Sequence, residues 1–156
     1  MKLEMIKAQN SHLAQIVAIE KENFPDYWAE SLLAGKIEDT SVRFFVALDE
    51  SDRERVLGYC ILQELKPEAE LLKIAVKKTR QGMGIGTVLL KKLLDDLECA
   101  GMESVFLEVR VSNQSGISLY KNLGFREIGM RKEYYKNNLE DALLMQKRFG
   151  NDNFSN

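Results

Sequence analysis

The sequence predicts a mixed α/β domain in which helices pack on a sheet, and two observations carry that prediction. The first is the run 70–100. Here Glu70-Leu71-Leu72-Lys73-Ile74-Ala75-Val76, a short basic turn, Gln81-Gly82-Met83-Gly84-Ile85-Gly86 and a long amphipathic segment make a strand, a glycine-rich turn and a helix without a break. The second is the switching between period-two and helical patterning elsewhere, which orders the chain as strand, two helices, three strands, helix, strand, helix and two strands. No repeat, low-complexity tract or linker divides that order. Residues 1–149 are therefore expected to form one domain, with 150–156 a polar, disordered tail.

Residues 3–7 have the length and composition of a short first strand. Asn10 or Ser11 can cap a helix whose apolar positions Leu13, Ile16, Val17 and Ile19 keep helical spacing, and His12, in its first turn, is expected at the surface. Phe24-Pro25-Asp26-Tyr27-Trp28 is aromatic-rich and broken by proline. It is either a loop anchored in the core or the lip of a binding site, before a second helix over 29–38. Residues 42–49 and 56–66 are strand-like, joined by the charged segment 49–55, which predicts a solvated hairpin loop. After the glycine turn, Leu89, Leu90, Leu93, Leu94 and Leu97 line one helix face, and Gly101 is a natural stop. Residues 105–111 form the next strand and 114–123 a short helix ended by Gly124. Residues 125–129 resume extended structure, and 141–149 make the last strand.

A chain of 156 residues, 45% hydrophobic and 29% charged, can bury a core and lies in the range of ordinary globular proteins. Its formal net charge of -2 leaves no footprint for direct nucleic-acid binding. The amino terminus carries no apolar signal region, and no run approaches the ~18 apolar residues of a membrane span, so no membrane partner and a cytoplasmic location are expected. A monomer or weak dimer is the expected state. Cys60 in a strand and Cys99 near a helix end predict buried free thiols rather than a disulfide framework. His12 is the only histidine, so a Ser-His-Asp or Cys-His site cannot be assembled and no metal site is expected. Chemistry must then come from carboxylates, tyrosines and backbone.

Gly82, Gly84 and Gly86 allow φ > 0 and leave no side chains over the turn. Its backbone N–H groups can therefore face an anion as they feed into a helix N-terminus. The loop is not of the Walker type, because Gly86 is followed by Thr87-Val88 with no lysine. Nor is it a dinucleotide fingerprint, whose glycines fall at the first, third and sixth positions. A phosphate cradle and a tight turn with no ligand remain as readings.

The second constellation is Leu107-Glu108-Val109-Arg110, then Asn113, then Leu119-Tyr120-x-x-x-Gly124-Phe125. Period-two alternation puts Phe106, Glu108 and Arg110 on one face of their strand, so Glu108 is either a base beside an aromatic ring or a surface carboxylate paired with Arg110. Tyr120, near the helix face set by Ile117 and Leu123, is a core tyrosine or a proton donor.

Gln81-x-x-Gly84-x-Gly86 between a strand and a helix resembles the pyrophosphate loop of the GNAT acetyltransferases. The order Leu-x-Ile-Ala-Val, Gln-x-x-Gly-x-Gly, Leu-Glu-Val-Arg, Asn, Leu-Tyr and Gly-Phe extends that resemblance over most of the chain. More narrowly the chain resembles the bacterial RimI-type N-acetyltransferases, which modify the N-terminal alanine of a small-subunit ribosomal protein. Phe24-Pro25 with Trp28, Arg131-Lys132-x-Tyr134-Tyr135 and Glu140-Asp141-Ala142-x-x-Met145 carry the narrower likeness. The resemblance implies a central, mostly antiparallel sheet splayed at an acetyl-CoA site, with helices on both faces. It implies Glu108 as general base and Tyr120 as general acid. It assigns Ile74, Ala75 and Val76 to acetyl-CoA backbone contacts, and Gln81, Gly82, Met83, Gly84, Ile85, Gly86 and Thr87 to the pyrophosphate. Asn113 goes to the pantetheine region, and Trp28, Tyr134 and Tyr135 to the walls of a peptide groove. Two positions depart from the family pattern: Gly82-Met83 stands where basic residues are usual, and Lys136 where proline often follows the tyrosine pair.

The activity so implied is acetyl-CoA-dependent Nα-acetylation of a protein N-terminus by direct transfer. The rival enzyme reading is a GNAT acting on lysine or a small amine. A non-catalytic acyl-CoA-binding module is the rival of another class, and retention of both Glu108 and Tyr120 favours catalysis over it.

Overall fold

The computed structural model describes residues 2–135 and 139–150. The tail expected over 150–156 lies outside the described residues beyond Gly150, as does Lys136. Seven strands form one sheet: β1 (Leu3–Lys7), β2 (Val42–Asp49), β3 (Asp52–Leu65), β4 (Glu68–Val76), β5 (Ser104–Arg110), β6 (Arg126–Tyr135) and β7 (Glu140–Arg148). Their spatial order is β1-β2-β3-β4-β5-β7-β6. Among the described residues, only the β4–β5 pair is parallel. Parallel neighbours require a crossover, and the helix that follows the glycine turn supplies it. The mixed α/β, mostly antiparallel architecture expected from the sequence is the one observed.

Helices α1 (Leu13–Asn23) and α2 (Glu30–Glu38) cover one face, and α3 (Ile85–Cys99) and α4 (Gln114–Asn122) the other. The leucine stripe of α3 is buried against Leu57, Leu62, Leu71 and Leu107 from the central strands. Ile16, Ile19, Leu33 and Ile37 pack on Phe44, Val46, Tyr59 and Ile61 across the sheet. Both layers follow from apolar residues recurring at helical spacing over strands that are apolar on both sides.

The sheet opens where the site is built. β4 and β5 pair only from Glu68↔Ser104 to Leu71↔Leu107, whereas β4 stays paired with β3 as far as Gly58↔Val76. Between the pairs Leu62↔Leu71 and Ile61↔Lys73, Leu72 is an extra residue on β4, a bulge that bends the strand away from β5. The close approach of β3 to this bent segment depends on Gly58. A Cβ there would sit 2.8 Å from the Ala75 carbonyl oxygen and 3.2 Å from Leu89 Cδ1. Gly58→Ala is expected to destabilise the protein by about 1–3 kcal/mol, read as a lower urea midpoint at unchanged m-value.

Several local expectations need correction. The charged segment 49–55 is not a loop: β3 begins at Asp52 and pairs with β2 down to Asp49↔Asp52. Its charges are accommodated along the strand, with Arg53 Nε 2.6 Å from Glu4 Oε1 on β1. His12 is not at the surface but 8% exposed, because its Nδ1 accepts the Gln9 N–H at 3.0 Å, and burial lowers its pKa. Of the two cysteines, Cys60 is buried, with its thiol pushed up to about 12, but Cys99 is exposed at the end of α3. β6 runs on to Tyr135, well past 129, since an edge strand exposed as far as Tyr134 needs no apolar alternation to signal it.

Candidate active site

Alternation along β5 settles which groups share a face. Val105, Leu107 and Val109 point into the α3/α4 core, so Phe106, Glu108 and Arg110 point to the α1/α2 side. Glu108 does not pair with Arg110. Its Oε2 is shielded from solvent and lies 2.7 Å from Arg131 Nε on β6, an ion pair outside hydrogen-bonding alignment. Arg110 turns instead to Asp26 Oδ1 at 3.3 Å and Glu140 Oε1 at 3.4 Å, and its Cζ stands 4.0 Å from the centre of the Tyr135 ring. One guanidinium thus joins the α1–α2 loop to the start of β7 across the mouth of the splay.

Glu70 is a neighbour that sequence reasoning missed. It pairs with Phe106 in the last rungs before the strands part, and lies on the same face as Glu108. Burial first, and then the facing Glu108 charge, raise its pKa, while Arg131 and Lys36 oppose the rise. Only the β4–β5 register reveals this, because the two carboxylates are far apart in the chain.

Tyr120 stands on the opposite side of the gap. It sits on α4 in the α3/α4 core, 7% exposed, with its ring 5.7 Å from that of Phe125 in an edge-on contact. Burial, then the nearby Tyr135 phenol, raise its pKa, so the hydroxyl keeps its proton at any working pH. Tyr135 connects the two sides: burial pushes it up to about 12, and it lies near enough to feel both Arg110 and Glu108. Asn113 caps α4, with Oδ1 accepting the Gly116 N–H at 2.9 Å.

The glycine turn enters α3 through backbone that side chains resist. Gly82 has φ +80° and Gly84 φ +83°, and a Cβ at either would meet nothing within 4 Å beyond its chain neighbours. Gly86 is already helical, so only two of the three glycines use the freedom that the spacing offers. Ile85 is buried and contributes to this end through its main chain, whereas Met83 is exposed. The N–H groups of Ile85, Gly86 and Thr87 belong to the first turn, where no intrahelical acceptor exists. The Gln81 side chain is committed to the root of the loop: Nε2 donates to the Val76 carbonyl at 3.1 Å and to Asn23 Oδ1 at 3.0 Å. Asn23 Nδ2 donates to the same carbonyl at 3.1 Å. Ile74 and Ala75, on the bent part of β4, have no strand partner on the β5 side.

Trp28, Tyr134 and Tyr135 lie on two segments flanking the Glu108 face. The tyrosine rings meet edge-on at 5.1 Å, and Arg131 Cζ lies 5.3 Å from the Tyr134 centre while its Nε holds Glu108. The Trp28 N–H donates to Glu20 Oε2 at 2.8 Å. A surface hollow between Glu68, Glu103, Ser104 and Arg148 lies at the other end of β5, where the ladder is closed, and contains none of these groups.

A pyrophosphate fits the turn, since an open surface without side chains, two left-handed glycines and a helix N-terminus are what its charge requires. Beyond it, β5 presents a carboxylate to one side of the opening and α4 a protonated phenol to the other. The chain belongs to the acetyltransferase (GNAT) family, whose profile matches residues 12–125. It is 36% identical over 120 residues, covering 76% of this chain and 78% of the relative, to the [ribosomal protein bS18]-alanine N-acetyltransferase of Salmonella typhimurium. It is 34% identical over 151 residues, covering 88% of each, to an N-alpha-acetyltransferase of Sulfurisphaera tokodaii. The crystal structure of the ribosomal-protein-S18-alanine N-acetyltransferase from Escherichia coli superimposes with TM-score 0.86 at 29% identity, over 99% of this chain and 100% of that one.

Proposed function

We propose that this acetyltransferase uses acetyl-CoA to acetylate a protein α-amine in the cytoplasm, the N-terminal alanine of a small-subunit ribosomal protein. The observation that carries the reading is the placement of Glu108 and Tyr120 on opposite sides of the β4–β5 opening. A donor reaching in from the α3 side and an acceptor from the α1/α2 side meet there. The likeness to the bS18-alanine enzymes supports the choice of acceptor.

Acetyl-CoA supplies an activated acetyl group on sulfur. The N–H groups of 82–87 hold its pyrophosphate, the backbone of Ile74 to Val76 and the Asn113 region border its pantetheine arm, and Trp28, Tyr134 and Tyr135 wall the acceptor. Glu108 takes the proton that the attacking amine must lose, directly or through water. The acetyl carbon passes from sulfur to nitrogen, and the sulfur receives a hydrogen bond or proton from Tyr120 Oη. Because burial raises the phenol above its usual value of about 10, hydrogen-bond donation is its larger contribution.

Proton arithmetic favours the α-amine. With pKa values of about 7.7–8.0 against 10.4 for lysine, roughly a tenth of α-amines but only about 0.04% of lysines are neutral at pH 7, a difference of about 3.4 kcal/mol. A carboxylate base with no histidine beside it is matched to the former. The test offers a basic peptide with a free N-terminal alanine and the same peptide with a blocked N-terminus but free lysines. Turnover is expected with the first only. Equal or faster acetylation of the blocked peptide selects the lysine or small-amine reading, and no turnover of any amine selects a binding module.

A further inference from the structure

Just past the bulge in β4, on the Glu108 face, a lysine is enclosed rather than exposed. Lys73 Nζ lies 2.7 Å from Glu20 Oε2, 3.8 Å from the centre of the Phe24 ring and 4.9 Å from that of Trp28. Glu20 on α1 is 0% exposed, and its other oxygen accepts the hydroxyl of Tyr59, itself buried on β3. The Oε2 atom that holds Lys73 also accepts the Trp28 backbone N–H. One carboxylate therefore ties together β4, β3 and the α1–α2 loop, and the ammonium it neutralises lies against two of the three aromatic rings of that loop, Phe24 and Trp28.

Stability alone is a poor reason for such a pair. A buried Lys–Glu contact gains little over apolar side chains of the same volume, although removing one partner is costly. What an apolar replacement could not do is fix the loop in one place, since packing is non-directional while the carboxylate specifies three donors. We propose that Glu20 and Lys73 are positioning residues that hold the Trp28 ring at the edge of the acceptor groove, and so set acceptor affinity without touching the reacting atoms. The proposal rests on the reading of Trp28 as a wall of that groove.

Trp28 is the only tryptophan in the chain, so its fluorescence reports on this wall alone. The experiment compares wild type with Lys73→Met, which keeps length and apolar volume, Lys73→Arg, which restores the cation, and Glu20→Gln, which keeps the shape and an acceptor. Acrylamide quenching of Trp28 is measured without substrates, followed by steady-state kinetics with an alanine-initiated peptide. Lys73→Met is expected to raise the quenching constant, to raise peptide KM about tenfold with kcat within about threefold, and to leave calorimetric acetyl-CoA affinity unchanged. Lys73→Arg should recover most of both effects, and Glu20→Gln should fall between. If Lys73→Met does not fold, the same comparison is made with Glu20→Gln alone. Unchanged quenching in folded variants overturns the proposal, as does a fall in kcat at constant KM. Raised quenching with unmoved KM also overturns it, and leaves the acetyl-transfer reading standing because turnover persists. Failure of that reading shows separately, as absent turnover in the wild type.

Discussion

Glu108→Gln is expected to lower kcat by about 10²–10⁴ while acetyl-CoA affinity stays at the wild-type value. The substitution keeps the side chain's shape on the α1/α2 face of β5 but removes the negative charge proposed to accept the amine proton. It also frees Arg131, whose Nε is 2.7 Å from Oε2, so Arg131→Gln serves as the control for loss of the ion pair alone. That control should lower turnover far less. Glu70 is positioned to take over part of the role. With the Glu108 charge gone, one of the two causes raising its pKa disappears, so it ionises more readily. The double substitution Glu70→Gln, Glu108→Gln should therefore fall below Glu108→Gln alone. Wild-type turnover in Glu108→Gln would return the residue to a structural part in the β5–β6 ion pair.

Gly84→Val is the second large effect, and here the loss should be in binding. Gly84 has φ +83° at the entry to α3, where a β-branched residue costs about 1–2 kcal/mol of backbone strain. Chain neighbours apart, the added Cβ enters open space with nothing within 4 Å, so beyond that strain the obstruction is expected to fall on what occupies the turn. Acetyl-CoA affinity should drop by at least about tenfold, equivalent to 1.4 kcal/mol or more, in calorimetry. Gly101 is a matched control: it has φ +82° at the other end of the same helix and the same open surroundings. Gly101→Val should lose similar stability with no loss of affinity. Equal affinity losses in the two variants would mean that strain transmitted along α3, not an anion site at the turn, explains the effect.

The candidate site was partly legible in the chain. The glycine spacing announced a turn open to an anion, and two of its residues take the left-handed backbone that glycine allows. Alternation along 105–111 placed Glu108, Phe106 and Arg110 together, but of the two readings it left open, a pairing of Glu108 with Arg110 is not the one formed. In a strand the residue two positions away competes with every group brought up by the rest of the sheet, and Arg131, on β6 beyond β7, is nearer in geometry than Arg110. Glu70, and the union of Glu20, Tyr59 and Lys73, left no local pattern to find. His12 was misplaced for the same reason, since a backbone donor that lets an imidazole be buried is not visible as periodicity.

What the sequence determined by itself is everything that short range can specify. The leucine stripe makes α3 a helix with one buried face, the glycines permit its unusual entry, and alternation sorts each strand into two faces. Tertiary structure decided what depends on register between distant strands. The Leu72 bulge ends the β4–β5 ladder at Leu71↔Leu107, which puts Glu108 and Tyr120 on opposite sides of one opening and sets Glu70 beside Glu108. A side-chain pattern has a period of two residues and carries no record of where two strands align, whereas a shift of one residue in that alignment would send every one of these groups to the other face.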